Sequence, residues 1–263
     1  MKIIPKKSLG QNFLVDDNVV KKICNSGCIN EEDYILEIGP GTGKLTEFLI
    51  LKKPQKLYLI EKDSGLIGLL NKKFKNKVEV INEDILKFEL KVLTNNNLVV
   101  FGNLPYNISS QILTKFIHYN KEEFQYKKLV FMFQKEVADR ILADVNSKEY
   151  GRITILSNWK FDINKIIDVK PNSFYPRPKI HSTVLEFIPK KKIFEIKDPK
   201  NLEKITNVFF NQRRKMIKKP INILFKNSQF NYKKFGINPS DRPENINVKK
   251  YLEIVNEYES SGS

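Results

Sequence analysis

The stretch Glu37-Ile-Gly39-Pro-Gly41-Thr-Gly43-Lys44 places glycines at every second position directly after a short apolar run. Glycine reaches positive φ at little cost and lets a ligand approach the main chain closely. A helix that opens there presents unpaired N–H groups, which suits a nucleotide-like ligand. A dinucleotide fingerprint would need a third glycine where Lys44 stands, so a nicotinamide oxidoreductase is disfavoured. A second apolar run ends in Glu61, where a carboxylate either accepts from ribose hydroxyls or simply pairs with Lys62. A third leads into Glu83-Asp84-Ile85: Asp84 can accept from an adenine amino group while Ile85 packs on the ring. A fourth runs into Asn103-Leu104-Pro105-Tyr106, an amide, a proline-stiffened turn and an aromatic ring. Metal chemistry finds few ligands, since His118, His181, Cys24 and Cys28 are the whole supply of their types. No metal is expected, and the two thiols read as free.

The elements that must carry these groups follow from the pattern of apolar residues. Tyr34 to Gly39, Lys56 to Glu61, Val78 to Ile81, Leu98 to Asn103 and Lys128 to Phe133 read as strands covered on both faces. Helical stretches lie between them, at Gly43 to Leu51, Ser64 to Phe74, Ser109 to Tyr119 and Lys135 to Asp144. This alternation predicts an α/β fold with a doubly wound, mostly parallel sheet. Ligands of such sheets sit outside the carboxyl ends of the strands, where the residues above are placed. Two more strands, Ile163 to Val169 and His181 to Ile188, flank the loop PNSFYPRPK. Beyond Pro189 the periodicity is helical, over Asn201 to Lys219 and Val248 to Glu257. The division expected is a catalytic domain over 1–189 and a small basic helical domain over 190–263.

The 263 residues carry 46 Lys+Arg against 30 Asp+Glu, a formal net charge of +16. From Lys190 onward there are 17 basic and 8 acidic residues, net +9, which leaves +7 for the longer first part. Such a balance fits a nucleic acid, an anionic surface or a lysine-rich solvated exterior. With 41% hydrophobic and 11% aromatic residues, disorder as the main state is excluded. No apolar run approaches the ~20 residues of a membrane span, and Pro5, Lys6 and Lys7 interrupt the start in a way unlike a secretory signal. A cytoplasmic protein without a membrane partner is expected, and the absence of heptads points to a monomer.

Several of these segments resemble known motifs. The glycine turn, with Glu37 two residues before its first glycine, is similar to motif I of S-adenosylmethionine-dependent methyltransferases. Asn103-Leu104-Pro105-Tyr106 resembles the (D/N)-P-P-(Y/F/W) motif of enzymes that methylate an exocyclic amino nitrogen. The residue types suit that chemistry. The adenine N6 lone pair is delocalised into the ring, so the amino group must be held by its hydrogens while nitrogen pyramidalises toward the methyl. Acceptors are needed, here the Asn103 side-chain oxygen and a main-chain carbonyl of the Leu104-Pro105 turn. Tyr106 can stack on a base that has left its helix.

Together with GQNFL (Gly10 to Leu14), FQKEVADRI (Phe133 to Ile141), YGR (Tyr150 to Arg152), SFYPRPKIHS (Ser173 to Ser182) and FNQRRK (Phe210 to Lys215), these motifs resemble the KsgA family of small-subunit rRNA adenine dimethyltransferases over essentially the whole length. The resemblance implies dimethylation of two adjacent adenines in the 3′-terminal hairpin of small-subunit (16S) rRNA, within an immature 30S particle, with S-adenosylmethionine as cofactor. It implies Asn12 and Leu14 beside the cofactor, Gly39 at its methionine end, Glu61 on ribose, Asp84 at adenine, and Asn103 between cofactor and target; Gly41 and Ile85 are expected among the cofactor-binding residues as well. Phe174 would face the target base opposite Tyr106. A helix carrying Arg213, Arg214 and Lys215, with Lys218 and Lys219, would track RNA phosphates, and Lys6 and Lys7 would meet RNA at the pocket mouth. A large-subunit rRNA methyltransferase of the macrolide-resistance type shares most motifs but usually carries NIPY. A mainly RNA-binding assembly or transcription factor is the non-enzymatic alternative.

Overall fold

The computed structural model describes residues 5, 6, 9–93, 97–119, 125–225 and 230–261. In chain order the first part comprises β1 (Phe13–Leu14), α1 (Asp17–Ser26), β2 (Tyr34–Ile38), α2 (Lys44–Ile50), β3 (Lys56–Glu61), α3 (Ser64–Phe74), β4 (Glu79–Asn82), β5 (Leu98–Asn103), α4 (Ser109–His118) and β6 (Lys128–Gln134). There follow α5 (Lys135–Ile141), α6 (Arg152–Lys160), β7 (Phe161–Val169), β8 (Phe174–Tyr175), β9 (Ser182–Pro189), α7 (Pro199–Phe210), α8 (Lys218–Phe225) and α9 (Val248–Ser260).

Seven strands form one sheet in the order β4-β3-β2-β5-β6-β9-β7. The pairs from β4 through β6 are parallel, and β9 runs antiparallel to β6. Parallel pairing requires helical crossovers that cover both faces, which is why Leu98, Val99, Val100 and Phe101 of β5 are all fully buried. The chain proceeds outward in one direction from β2 to β4, then returns to the other side of β2 as β5. The ends of β2 and β5 therefore border the crevice at the switch point. β1 and β8 make a separate two-stranded ribbon with Phe13 opposite Tyr175 and Leu14 opposite Phe174.

The chain divides into two compact units, one of residues up to Ala138 with Asp162–Pro189, the other of Asp139–Phe161 with Lys190–Ser263. The second unit thus takes in α6 as well as the segment after Pro189. The reason lies in its hydrogen bonds: Trp159 Nε1 donates to the Phe194 carbonyl at 2.8 Å and Tyr150 Oη to the Ile246 carbonyl at 2.9 Å. Within it α7 packs on α6, α8 and α9, with Phe209 edge-on to Tyr251 at 5.3 Å between ring centroids.

The helix expected to run through Asn201 to Lys219 is broken. α7 ends at Phe210, Asn211 to Lys215 form turns, and α8 begins at Lys218. Pro220 dictates the break, because in a continuous helix its ring would collide with the Met216 carbonyl. The Ile217 and Lys218 N–H groups instead donate to the carbonyls of Asp241 and Pro239. Cys24 and Cys28 are free thiols, but they do not share a helix: α1 stops at Ser26, with Cys28 at φ 49° beyond it.

Candidate active site

One cleft lies at the carboxyl ends of β2, β3 and β5, and its lining includes Asn12, Leu14, Gly39, Gly41, Glu61, Asp84, Ile85, Asn103, Leu104, Pro105 and Tyr106. These sequence-predicted residues are brought together. The three glycines of the turn all have positive φ, at 65°, 57° and 77° for Gly39, Gly41 and Gly43. Their reasons differ. A Cβ on Gly43 would stand 2.5 Å from the Phe74 ring, and one on Gly41 2.7 Å from the Phe13 ring, so both are packed against aromatics. A Cβ on Gly39 would meet nothing nearer than the Asn103 carbonyl oxygen at 4.0 Å, which leaves an open cradle between the two strand ends.

The carboxylates are tightly held. Glu61 is buried and accepts from the Gly41 N–H at 3.2 Å and the Asp63 N–H at 2.9 Å, rather than pairing with Lys62. Burial raises its pKa above the ordinary glutamate value. Glu37, 2% exposed, accepts from Thr46 Oγ1 at 2.6 Å. Burial pushes its pKa up to about 8, against the Thr46 hydrogen bond. Asp84 receives Lys62 Nζ at 2.8 Å and the Leu86 N–H at 3.0 Å, and the lysine holds its carboxyl below the usual range.

At the β5 end, Asn103 Nδ2 donates to the Asn12 carbonyl at 2.9 Å. That bond fixes the amide and leaves Oδ1 as its acceptor face. In the following turn the Pro105 carbonyl is taken by the Ile108 N–H at 3.1 Å and the Tyr106 carbonyl by Ser109 Oγ at 3.2 Å. The Leu104 carbonyl has no donor among the described residues. Asn103 Oδ1 and the Leu104 carbonyl, on adjacent residues at the end of β5, are thus two acceptors without a donor among the described residues, and holding an amino group by both hydrogens needs two such acceptors. Tyr106 Oη is hydrogen-bonded to Ser182 Oγ at 2.7 Å, which fixes the ring, and burial keeps the phenol protonated by raising its pKa.

Other predicted residues are placed elsewhere. Phe174 is 4% exposed, belongs to the core with Phe13 and Leu14, and is not among the cleft-lining residues. Strand alternation turns it inward and leaves Tyr175 58% exposed. Lys6 Nζ is 2.6 Å from Asp63 Oδ1, so its charge is already paired. Lys7 lies outside the described residues. Arg213 sits in a turn with Nε 3.5 Å from Glu244 and Nη2 donating to the Ser147 carbonyl at 3.2 Å. Arg214 and Lys215 are exposed, as are Lys218 and Lys219. Asp63, Thr46 and Ser182 escape the sequence reading. An acidic residue just before the helix Ser64 to Phe74 marks Asp63 as an N-cap, whereas no local signal marks the other two. Among the described residues no His, Cys, Asp or Glu cluster could hold a metal, and no helix is long and apolar enough to cross a membrane.

Comparison with known proteins agrees with this geometry. The profile of the ribosomal RNA adenine dimethylase family matches residues 5–260. A ribosomal RNA small subunit methyltransferase A from Pelagibacter ubique (strain HTCC1062) is 52% identical over 254 residues, covering 97% of each chain. A dimethyladenosine transferase from Plasmodium falciparum superposes with a TM-score of 0.81 at 27% identity, over 95% of this chain and 98% of that one. The 23S rRNA methyltransferase ErmE shares the fold, with a TM-score of 0.68 at 20% identity over 96% of this chain and 100% of its own. Matched from residue 5 to residue 260 and carrying both acceptors at the end of β5, the chain belongs to the ribosomal RNA adenine dimethylase family.

Proposed function

We infer that this chain transfers methyl groups from S-adenosylmethionine to N6 of two adjacent adenines in the 3′-terminal hairpin loop of small-subunit (16S) rRNA, late in assembly of the 30S particle in the cytoplasm. Relatives at up to 52% identity are named for the small subunit, whereas the likeness to the 23S enzyme is one of fold, which disfavours the macrolide-resistance reading. The observation that carries the mechanism is the pair of open acceptors, Asn103 Oδ1 and the Leu104 carbonyl, at the end of β5 beside the Gly39 cradle.

When bound, S-adenosylmethionine supplies a methyl group on a sulfonium. The residues present fit such a cofactor. The open face of Gly39 accommodates its methionine end, with Gly41, Asn12 and Leu14 alongside. Glu61, fixed by the main chain at Gly41 and Asp63, is oriented to accept from ribose hydroxyls. Asp84, oriented by Lys62 and Leu86, accepts from the adenine amino group over Ile85. On the target side, Asn103 and Leu104 hold the adenine N6 by its hydrogens and favour a pyramidal nitrogen. Pro105 stiffens the turn, and Tyr106 stacks on the unpaired base. A neutral Asn103 suffices because nitrogen loses its proton only after gaining the methyl.

Of the cations expected to meet RNA, Arg214 and Lys215 with Lys218 and Lys219 are exposed and without ion pairs among the described residues. Incubation with labelled S-adenosylmethionine and immature small subunits, followed by mapping of N6-dimethyladenine, tests the reading. Label in the adjacent adenines of the 3′-terminal hairpin is the expected result. Label confined to large-subunit rRNA, or tight subunit binding without transfer, overturns it.

A further inference from the structure

Asp63 is a buried carboxylate, its side chain 4% exposed, with hydrogen-bond donors on both oxygens. Oδ1 accepts from Lys6 Nζ at 2.6 Å and from the Gly65 N–H at 3.0 Å, and Oδ2 accepts from Gln11 Nε2 at 2.8 Å. The Lys6 N–H in turn donates to Gln11 Oε1 at 2.7 Å, and the Leu9 N–H to the Lys6 carbonyl at 3.1 Å. Lys6 and Gln11 thus form a closed knot on one side chain. Burial would raise the carboxyl pKa, but these hydrogen bonds outweigh it and hold the group ionised.

Both ends of this knot matter to the cleft. The Asp63 N–H donates to Glu61 Oε1 at 2.9 Å, so the latch is continuous with the carboxylate at the β3 end. From Gln11 the chain crosses the cleft as its wall, since Leu9 through Leu14 all line it. Gly10 turns at φ 64° beside Asn107 and Pro105. The Asn12 carbonyl receives the Asn103 amide, and Phe13–Leu14 pair with Phe174–Tyr175. The strap is held by its pairing with β8 at one end and by Asp63, just beyond β3, at the other.

We propose that Asp63 is a positioning residue that, through Lys6 and Gln11, latches the Leu9–Leu14 strap across the cleft and so retains the cofactor. The proposal rests on the reading that this cleft holds S-adenosylmethionine. The latch adds binding that is felt equally before and during transfer, so its loss acts on affinity rather than turnover.

The experiment compares Asp63→Asn, Lys6→Met, the double variant and Lys6→Arg in the full chain. Asparagine is as good an N-cap as aspartate, so α3 survives Asp63→Asn, and Lys6→Met leaves α3 untouched. S-adenosylhomocysteine affinity is read by calorimetry, and KM and kcat on immature subunits by methyl transfer. Strap opening in the ligand-free protein is read by the rate of tryptic cleavage after residue 6, a site that Asp63→Asn and Lys6→Arg both keep. The expected result is an affinity loss of about tenfold in each of Asp63→Asn and Lys6→Met, as for one charge-assisted hydrogen bond. The KM for S-adenosylmethionine should rise with kcat nearly unchanged, and cleavage should be faster in Asp63→Asn. The double variant should be no worse than either single one, and Lys6→Arg should bind normally. Unchanged affinity in Asp63→Asn and Lys6→Met, additive losses in the double, or a fall in kcat matching the fall in affinity overturns the latch. Glu61→Ala separates the two readings: if it binds S-adenosylhomocysteine normally, the cofactor assignment fails, and if it alone loses binding, only the latch fails.

Discussion

The cleft and the turn after α7 use polar groups in opposite ways. Around the cleft, Glu37, Glu61, Asp63 and Asp84 are each held by named donors, and burial or pairing has moved all their pKa values. In the turn Asn211 to Lys215, Arg213 alone is anchored, on Glu244 and Ser147, and the neighbouring cations extend into water. Preorganised groups act at a fixed point and tolerate little change. Surplus charge acts at a distance, is graded and is screened by salt. Substitutions in the cleft should therefore have large, specific effects, and substitutions in the turn small and salt-dependent ones.

The largest effect is expected at Asn103. Replacement by alanine removes one of the two acceptors, and kcat should fall by about 10²–10³-fold, as when one preorganised hydrogen-bonding group is deleted from an active site. Circular dichroism and thermal unfolding should stay close to the parent. A near-normal kcat would take Asn103 out of the mechanism. The glycine turn offers an internal contrast of the next size. Gly43→Ala puts a methyl group 2.5 Å from the buried Phe74 ring at φ 77°. Overpacking and backbone strain together should cost about 2–4 kcal/mol of stability. Gly39→Ala carries the strain alone, about 1–2 kcal/mol, but fills the cradle, so its cofactor affinity should fall more than its melting temperature suggests. Equal stability losses at both positions would break the distinction.

Glu37 turns the same contrast into a pH dependence. Its pKa is raised from 4.5 to about 8, with burial as the main cause. The folded chain therefore binds this proton more tightly than the unfolded chain. The stability is fully present below pH 4.5, declines as pH rises toward about 8, and is level beyond it. Glu37→Gln keeps an acceptor for Thr46 and removes the titration. Between about pH 6 and pH 9 the parent should lose on the order of 2 kcal/mol more than the variant. Parallel stability profiles would show that Glu37 is not protonated on folding.

Much of the cleft is legible in the sequence because its signals are local. Glycine spacing, apolar runs that end in Glu61 or Asn103, and helices read as beginning at Gly43 and Ser64 all describe the chain within a few residues of itself. What escapes depends on distance or on symmetry of burial. α6 buries Thr154, Ile155, Leu156, Ser157, Trp159 and Lys160, so it lacks the one-sided stripe that marks a helix. Lys6 pairs with the distant Asp63, and Arg213 with the distant Glu244, and no local rule links them. Phe174 looks like a site aromatic because of its motif, yet in a two-residue strand the side facing the core is set by its pairing with Leu14. The expected basic helix is interrupted between Phe210 and Lys218, because Pro220, in the first turn of α8, does not tolerate a preceding helical turn at Met216.

The smallest expected effect lies at the turn, and it divides adjacent arginines. Arg214→Ala with Lys215→Ala removes two exposed cations that make no ion pair among the described residues, so the melting temperature should stay within about 1–2 °C of the parent. If both cations meet phosphates of duplex rRNA, the slope of log affinity against log salt should flatten by about 1.8. Arg213→Ala should do the reverse. It uncovers Glu244 and strands the Ser147 carbonyl, so stability should fall by about 1–2 kcal/mol while the salt slope stays as it was. Binding measured from low to moderate salt on protein-free 16S rRNA and on immature subunits gives both slopes. A flattening caused by Arg213→Ala would mean that the arginine leaves Glu244 for RNA, and the division between anchored and surplus charge would then belong only to the free protein.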